Sequence, residues 1–292
     1  MNDNEASPVR LGTATPGGGF PAYGAAFAAA VNAVDPGLAV TPQHTKGSAE
    51  NVPLLIAGAL DIALVAGETA VAALGGPSPL TVVAAMYATP GLFAVRADAP
   101  WLSLADLRGQ RIAWGARGSG FIVLARQMTA GLGLDMERDF APVFLDHAGD
   151  GPAMVLDGSV AALWGGGAGW PGFTAIAAEG ARFIAPDPGE RVRILTAEPG
   201  LRAMELPADS YSGQSTPIAS VGTWSYVLAR PDLPEALGHR LAAALHEAGP
   251  DLAARLPQGR ETTLANTLAA APSPETLHPG VRRYLREIGL GS

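Results

Sequence analysis

Apolar residues fall along the chain in short runs of strand length, separated by Ala-rich stretches with helical spacing. Val9–Thr15 reads as a strand. Pro21 then sits where a first helical turn tolerates proline, and Tyr23, Phe27, Val31 and Val34 recur at the interval of one helix face. Ala39–Thr45 predicts a second strand, Ser48 to about Gly58 a helix, and Asp61–Ala66 and Thr81–Tyr87 two further strands. A β-α-β-α-β order implies a parallel sheet covered by helices. The rhythm restarts with a strand at Arg111–Ala116, a helix near Gly120–Gly131 and strands at Ala141–Leu145, Ala161–Trp164 and Arg182–Ala185. After the Pro/Ser/Gly-rich passage Pro207–Pro217, Ser220–Ala229 reads as one long strand, and Pro234–Ala248 and Val281–Ile288 as helices. There is no tandem repeat and no low-complexity linker, so the domain break is expected at paired extended crossovers near Tyr87–Val95 and Ser220–Ala229. One domain is then discontinuous, residues 1–90 with 221–292, and the other is 91–220.

Composition narrows the function classes. A chain of 292 residues is long enough for two domains with their own cores, and 48% hydrophobic against 16% charged residues excludes intrinsic disorder. The absence of cysteine removes disulfides, zinc–thiolate sites, iron–sulfur clusters and cysteine nucleophiles together. A net charge of −8 argues against nucleic acid and against lipid headgroups held by a polybasic patch. The most apolar stretches, Val52–Ala66 and Leu80–Val95, are broken by Pro53, Asp61, Pro90 and glycines, short of the roughly 20 apolar residues of a spanning helix. Met1–Pro8 is polar and lacks the apolar core of a signal peptide. The expectation is either a cytoplasmic protein or a mature form whose export signal was replaced by Met1. Gly291-Ser292 reads as a cloning scar and favours the second.

Four glycine-rich turns follow predicted strands: Gly12–Phe20, Thr45–Asn51, Gly115–Phe121 and Trp164–Pro171. The carboxyl edge of a parallel sheet is where ligands bind, because helix N-termini point unpaired N–H groups there. Lys46-Gly47-Ser48 and Arg117-Gly118-Ser119 each set a cation, a glycine and a serine expected to act as N-cap in a row, one turn per domain. Such a pair suits a carboxylate held between two lobes; the plainer reading is that Gly-Ser starts helices well and both cations face water. Lys46 is the single lysine among 19 basic residues. Phe20, Phe121 and Trp170 follow their turns directly and are expected to line the cleft, whereas Trp114 and Trp164 are expected in a sheet–helix core.

Other patterns carry less. Gly167–Gly172 satisfies G-x-G-x-x-G past mid-chain with Trp-Pro inside it, which is wrong for a dinucleotide fingerprint, and no G-x-S-x-G elbow exists. The five histidines, His44, His147, His239, His246 and His278, are scattered, and Asp146-His147…Asp150 reads as a polar turn rather than a metal site. Glu50 fits as a first-turn helix acid, and Glu68 is the other carboxylate near a glycine turn. No catalytic residue, metal or cofactor is expected.

In order along the chain, GTATPGGGFP (12–21), TKGSAEN (45–51), GALDIA (58–63), the segment Ser103–Gly120, Tyr211-Ser212-Gly213-Gln214 and Leu277-His278-Pro279-Gly280 resemble the motifs of the TAXI family of solute-binding proteins serving TRAP-type transporters. The resemblance implies an α/β, two-lobed type II periplasmic-binding fold. Each lobe is a mostly parallel sheet flanked by helices, with two crossover strands and the ligand cleft between lobes. It implies a periplasmic, monomeric binding protein that captures a small organic anion by lobe closure and hands it to membrane permease subunits, with no chemistry. Glutamate or 2-oxoglutarate are the ligands of known members. On it, Thr13, Thr15, Gly18, Gly19, Phe20, Lys46, Ser48 and Asn51 belong to one lobe's ligand contacts, and Arg117, Ser119, Gly120, Phe121 and Trp170 to the other's. Phe20-Pro21-Ala22-Tyr23 in place of a Tyr pair, Phe121 after Gly-Ser-Gly, and the Trp-rich Trp164–Pro171 depart from the family pattern and favour a bulkier, more apolar carboxylate. Two alternatives stay open: an enzyme on the same fold, disfavoured by the missing cysteines, and a cytoplasmic ligand sensor.

Overall fold

The computed structural model describes residues 8–77, 80–117 and 119–291. Expectations resting on Gly118, on Ser292 or on the first seven residues lie outside the described residues. The chain divides into two compact units, Met1–Tyr87 with Trp224–Ser292, and Ala88–Thr223.

In the first unit the order is β1 (Val9–Gly12), α1 (Gly19–Val34), β2 (Val40–Gln43), α2 (Ser48–Ile56), β3 (Ile62–Val65) and α3 (Gly67–Leu74). Strand β4 (Thr81–Arg96) then carries the chain into the second unit, running through Pro90 so that the strand expected at Thr81–Tyr87 and the extended crossover expected near Tyr87–Val95 are one strand. The second unit holds β5 (Arg111–Ala116), α4 (Gly120–Gly131), β6 (Ala141–Leu145), α5 (Gly151–Leu156), β7 (Ala162–Gly166), α6 (Pro171–Ala178), β8 (Ala181–Ile184), α7 (Pro188–Ala197) and β9 (Arg202–Leu206). Strand β10 (Ile218–Ala229) returns to the first unit, which closes with α8 (Glu235–Arg255), α9 (Leu264–Ala270) and α10 (Pro279–Glu287).

Each unit has a mixed sheet. In the first, the order is β2-β1-β3-β10, with β1 parallel to β2 and β3, and β10 antiparallel to β3. In the second it is β4-β7-β5-β6, with β5 parallel to β6 and β7, and β4 antiparallel to β7 and β8. The apolar face read at Tyr23, Phe27 and Val31 is fully buried, with Val34 packed partly against the same core. Tyr23 illustrates how a polar tip is accommodated there. Its hydroxyl bonds Thr262 Oγ1 at 3.0 Å, which in turn donates to the Met86 carbonyl at 2.7 Å.

Asp61 ties three strands of the first unit together. Its carboxylate accepts from the Arg10 backbone N–H (2.9 Å), Arg10 Nε (2.8 Å) and Nη2 (3.0 Å), and Arg230 Nε (3.1 Å), so β1, β3 and β10 meet on one anion. The L-H-P-G segment likewise has a packing role. His278 caps α10 by accepting from the Gly280 N–H through Nδ1 (3.1 Å) and donates through Nε2 to the Leu233 carbonyl (3.0 Å). Gly238 on α8 leaves the room this ring occupies, since a Cβ there would overlap the imidazole.

Trp114 and Trp164 lie in the core of the second unit as expected, packed around Phe93 with ring centroids 5.5 and 4.9 Å from it. Among the described residues no helix is long and apolar enough to cross a membrane.

Candidate functional site

Because the strands of each parallel set run the same way, their carboxyl ends open on one edge of each sheet. Helices α1, α2 and α3 begin there in the first unit, and α4, α5 and α6 in the second. None of these six helices has its first turn capped by the side chain of its N-cap residue. Elsewhere α7, α9 and α10 are capped by Asp187, Thr263 and His278, and α8, whose N-cap is Pro234, is not. An uncapped first turn leaves main-chain N–H groups and the positive helix end available to an anion.

The serines expected to cap do not. Gly47, at φ +101°, is the N-cap of α2, and Ser48 is its first helical residue, its Oγ accepting from the Ala66 N–H (3.0 Å) at the start of α3. The positive φ, which only glycine adopts easily, starts the helix one residue earlier than a serine cap would. Ser119 does occupy the N-cap position of α4, but its Oγ is buried and has no hydrogen-bond partner among the described residues.

The named residues of the first unit divide into framework and exposed groups. Thr13 is 1% exposed and donates through Oγ1 to the Gln43 carbonyl (2.8 Å), tying the end of β1 to β2. Asn51 is fully buried, its amide donating to the carbonyls of Thr13 and Leu64, both at 2.8 Å, so it holds the ends of β1 and β3 together. Lys46 and Thr15 are exposed, and Gly18, Gly19 and Phe20 are half-buried, Phe20 packing on the core edge. Glu50 sits in the first turn of α2 as expected and reaches back to the Lys46 N–H at 2.5 Å.

In the second unit Arg117 is exposed, while Ser119, Gly120 and Phe121 are half-buried. The Arg117 guanidinium lies over the Phe144 ring, 4.0 Å from its centroid. Trp170 is more enclosed than expected, at 7% exposure. Its ring is flanked by Gly165 and Gly172, where a Cβ would collide with it, and packs edge-on against Phe121 (5.3 Å) and Phe173 (4.9 Å). Tyr211 locks this turn: its hydroxyl donates to the Gly167 carbonyl (2.5 Å) and accepts from the Trp170 N–H (2.9 Å). Burial pushes that phenol's pKa well above its ordinary value, so it stays neutral. Gln214, from the same Y-x-G-Q segment, folds its own loop by accepting from the Ser210 N–H (3.0 Å) and donating to the Thr216 carbonyl (2.5 Å).

Phe144 was missed in the sequence; its only signal is an aromatic near the end of an apolar strand run. The turn Ala148–Asp150 follows β6, and among the described residues no group of three or more His, Asp or Glu side chains is placed to hold a metal ion.

Two sheets with parallel strand ends, helices packed on them and two passages of the chain between units define an α/β protein of the periplasmic-binding fold. Similar solved structures share it. They include the periplasmic aliphatic sulphonate binding protein SsuA from Escherichia coli (20% identity, 97% of this chain and 84% of that one, TM-score 0.54). MatC from Rhodopseudomonas palustris, with bound malate, matches at 17% identity over 96% of this chain and 97% of that one (TM-score 0.57). A TctC solute binding protein from Polaromonas matches at 16% over 90% and 91% (TM-score 0.51). The chain belongs to the NMT1-like family, whose model matches residues 11–289.

Proposed function

We propose that the protein is a periplasmic solute-binding protein that captures a small organic anion and delivers it to a membrane permease without chemistry on the ligand. The observation that carries this reading is the set of helix starts left uncapped at the strand ends of both units. Two structural neighbours point the same way, one named for aliphatic sulphonates and one with bound malate, both small organic anions. The finer reading is the TAXI branch, a TRAP-type permease as partner, a monomer, and a carboxylate bulkier or more apolar than glutamate. Its support is the motif resemblance together with Phe121 and Trp170 beside the second unit's turns. In this reading Thr15, Gly18, Gly19, Phe20 and Lys46 are the ligand-binding candidates of the first unit, and Arg117, Ser119, Gly120, Phe121 and Trp170 those of the second. Thr13, Ser48 and Asn51 hold the first set in place.

A thermal-shift screen of carboxylates and sulphonates on unfolded-and-refolded protein, free of carried-over ligand, tests the class. Stabilisation by at least one carboxylate is expected; stabilisation by sulphonates alone would refute the carboxylate. Calorimetry on Lys46→Ala then tests the site: affinity for the best carboxylate falls at least about tenfold, near 1.4 kcal/mol. An unchanged affinity removes Lys46 from it.

A further inference from the structure

The register of β5 against β6 contains a bulge. Ala113 pairs with Val143, but the next pair is Gly115 with Phe144, so Trp114 is an extra residue on β5. Trp114 turns fully into the core, and Gly115 takes φ +97°, a conformation that favours glycine. A bulge bends its strand and re-aims the side chains beyond it. Without it, Trp114 would stand opposite Phe144, and each later residue of β5 would point to the other side. With it, the chain leaves β5 so that Arg117 comes to lie over the Phe144 ring at 4.0 Å. Phe144 itself packs against the core of the second unit, so the surface under the guanidinium is fixed. Among the described residues Arg117 has no ion pair or hydrogen bond, and Ser119, two residues on, has a buried Oγ without a partner.

A guanidinium held over a ring keeps the N–H groups that point away from the ring free, and a pair of them matches the two oxygens of a carboxylate. We infer that Arg117, positioned by Phe144 through the bulge, is the specificity-determining residue for a carboxylate at the second unit's sheet edge, gripping both oxygens beside the start of α4. Phe144 is a positioning residue. The inference rests on the anion-binding reading above and names which group recognises the carboxylate.

The test is an NMR titration of the full ¹⁵N-labelled chain with sodium acetate as a minimal carboxylate, against sodium chloride at equal ionic strength. Wild-type protein is expected to show an Arg Nε–H signal displaced by the Phe144 ring, absent in Arg117→Lys and returned to the ordinary range in Phe144→Leu. Acetate, but not chloride, moves it saturably. Acetate affinity falls about tenfold in Arg117→Lys and about threefold in Phe144→Leu, and Phe144→Tyr, which keeps the ring face, restores it. Saturable shifts at the Ser119 and Gly120 amides with the Arg117 signal unmoved would overturn the inference and leave the anion-binding reading standing. The same linear drift with both salts at all these signals would overturn both. Wild-type acetate affinity in Phe144→Leu would overturn the positioning role.

Discussion

Replacing Asp61 by Asn keeps the shape of the side chain and removes its charge, at the point where β1, β3 and β10 converge. Asp61 is 6% exposed, and its carboxylate accepts four hydrogen bonds, three from Arg10 and one from Arg230. Asparagine retains one acceptor oxygen and turns an amide N–H₂ toward donors on its other side, so at least one pair of these bonds is lost. A hydrogen bond to a charged group contributes about 1.5–3 kcal/mol net. The Arg10 side chain is 41% exposed and its freed N–H groups can turn to water, which discounts its share. The expected destabilisation is therefore about 2–3 kcal/mol at pH 7, a fall of roughly 5–10 °C in Tm for a unit of this size. Burial alone would raise the Asp61 pKa, but the hydrogen bonds and charge of Arg10, with Arg230, outweigh it and hold the group below the usual carboxylate range. Its contribution is thus complete above the unfolded value of about 3.9 and is lost as pH falls through the lower folded value. Urea unfolding followed by far-UV circular dichroism from pH 7 to pH 3.5 reads both effects. The gap between wild type and Asp61→Asn should narrow below about pH 4, where Asp61 of the unfolded wild-type chain begins to take up a proton that the folded chain still excludes. A gap under about 0.5 kcal/mol at pH 7 would refute the reasoning, as would one of the same size at pH 3.5.

Other substitutions probe other joints. Desolvation lowers the His278 pKa, so this His binds its proton more readily unfolded than folded; stability is complete above about pH 6.5 and falls as pH drops below it. A loss of Tm between pH 7.5 and 5.5 that is reduced in His278→Asn supports this, and an identical profile in the variant refutes it. Gly165→Ala puts a methyl into the Trp170 ring and should cost about 1–3 kcal/mol, with a red shift in tryptophan emission; unchanged emission would mean the ring has room to move. Gly115→Ala forces an alanine into φ +97° and should destabilise the second unit by about 1–2 kcal/mol, read by urea unfolding.

The alternation of short apolar runs with Ala-rich segments was enough to place β5, α4 and β6 to the residue and most other strands within two or three. Helices α3 and α6 left no comparable trace, because a short Gly/Ala-rich helix such as Gly67–Leu74 has too few large apolar residues to show a period. The helix expected over Pro234–Ala248 continues as α8 through Pro250 to Arg255, under contacts with α1, α10 and the turn at 257–261. At the candidate site the glycine turns and their cations were legible, since they are contiguous in the chain. The roles of Ser48 and Thr13 were not, because Ala66 and Gln43 are brought to them only by the sheet. The bulge at Trp114 was hidden for the same reason: a two-to-one register exists between strands and leaves no mark on either strand alone.

A donor that belongs to the main chain survives every substitution except proline, and proline already stands in the first turn of three of the six uncapped helices. Pro21 in α1, Pro152 in α5 and Pro171 in α6 each subtract one N–H from those ends. Helix α2 keeps all of its first-turn amides, with Glu50 drawn back onto Lys46, and α4 keeps all of its own with no acid among them. If α2 and α4 hold an anion as proposed, side-chain replacement there should therefore alter which anion is preferred far more readily than it abolishes anion binding.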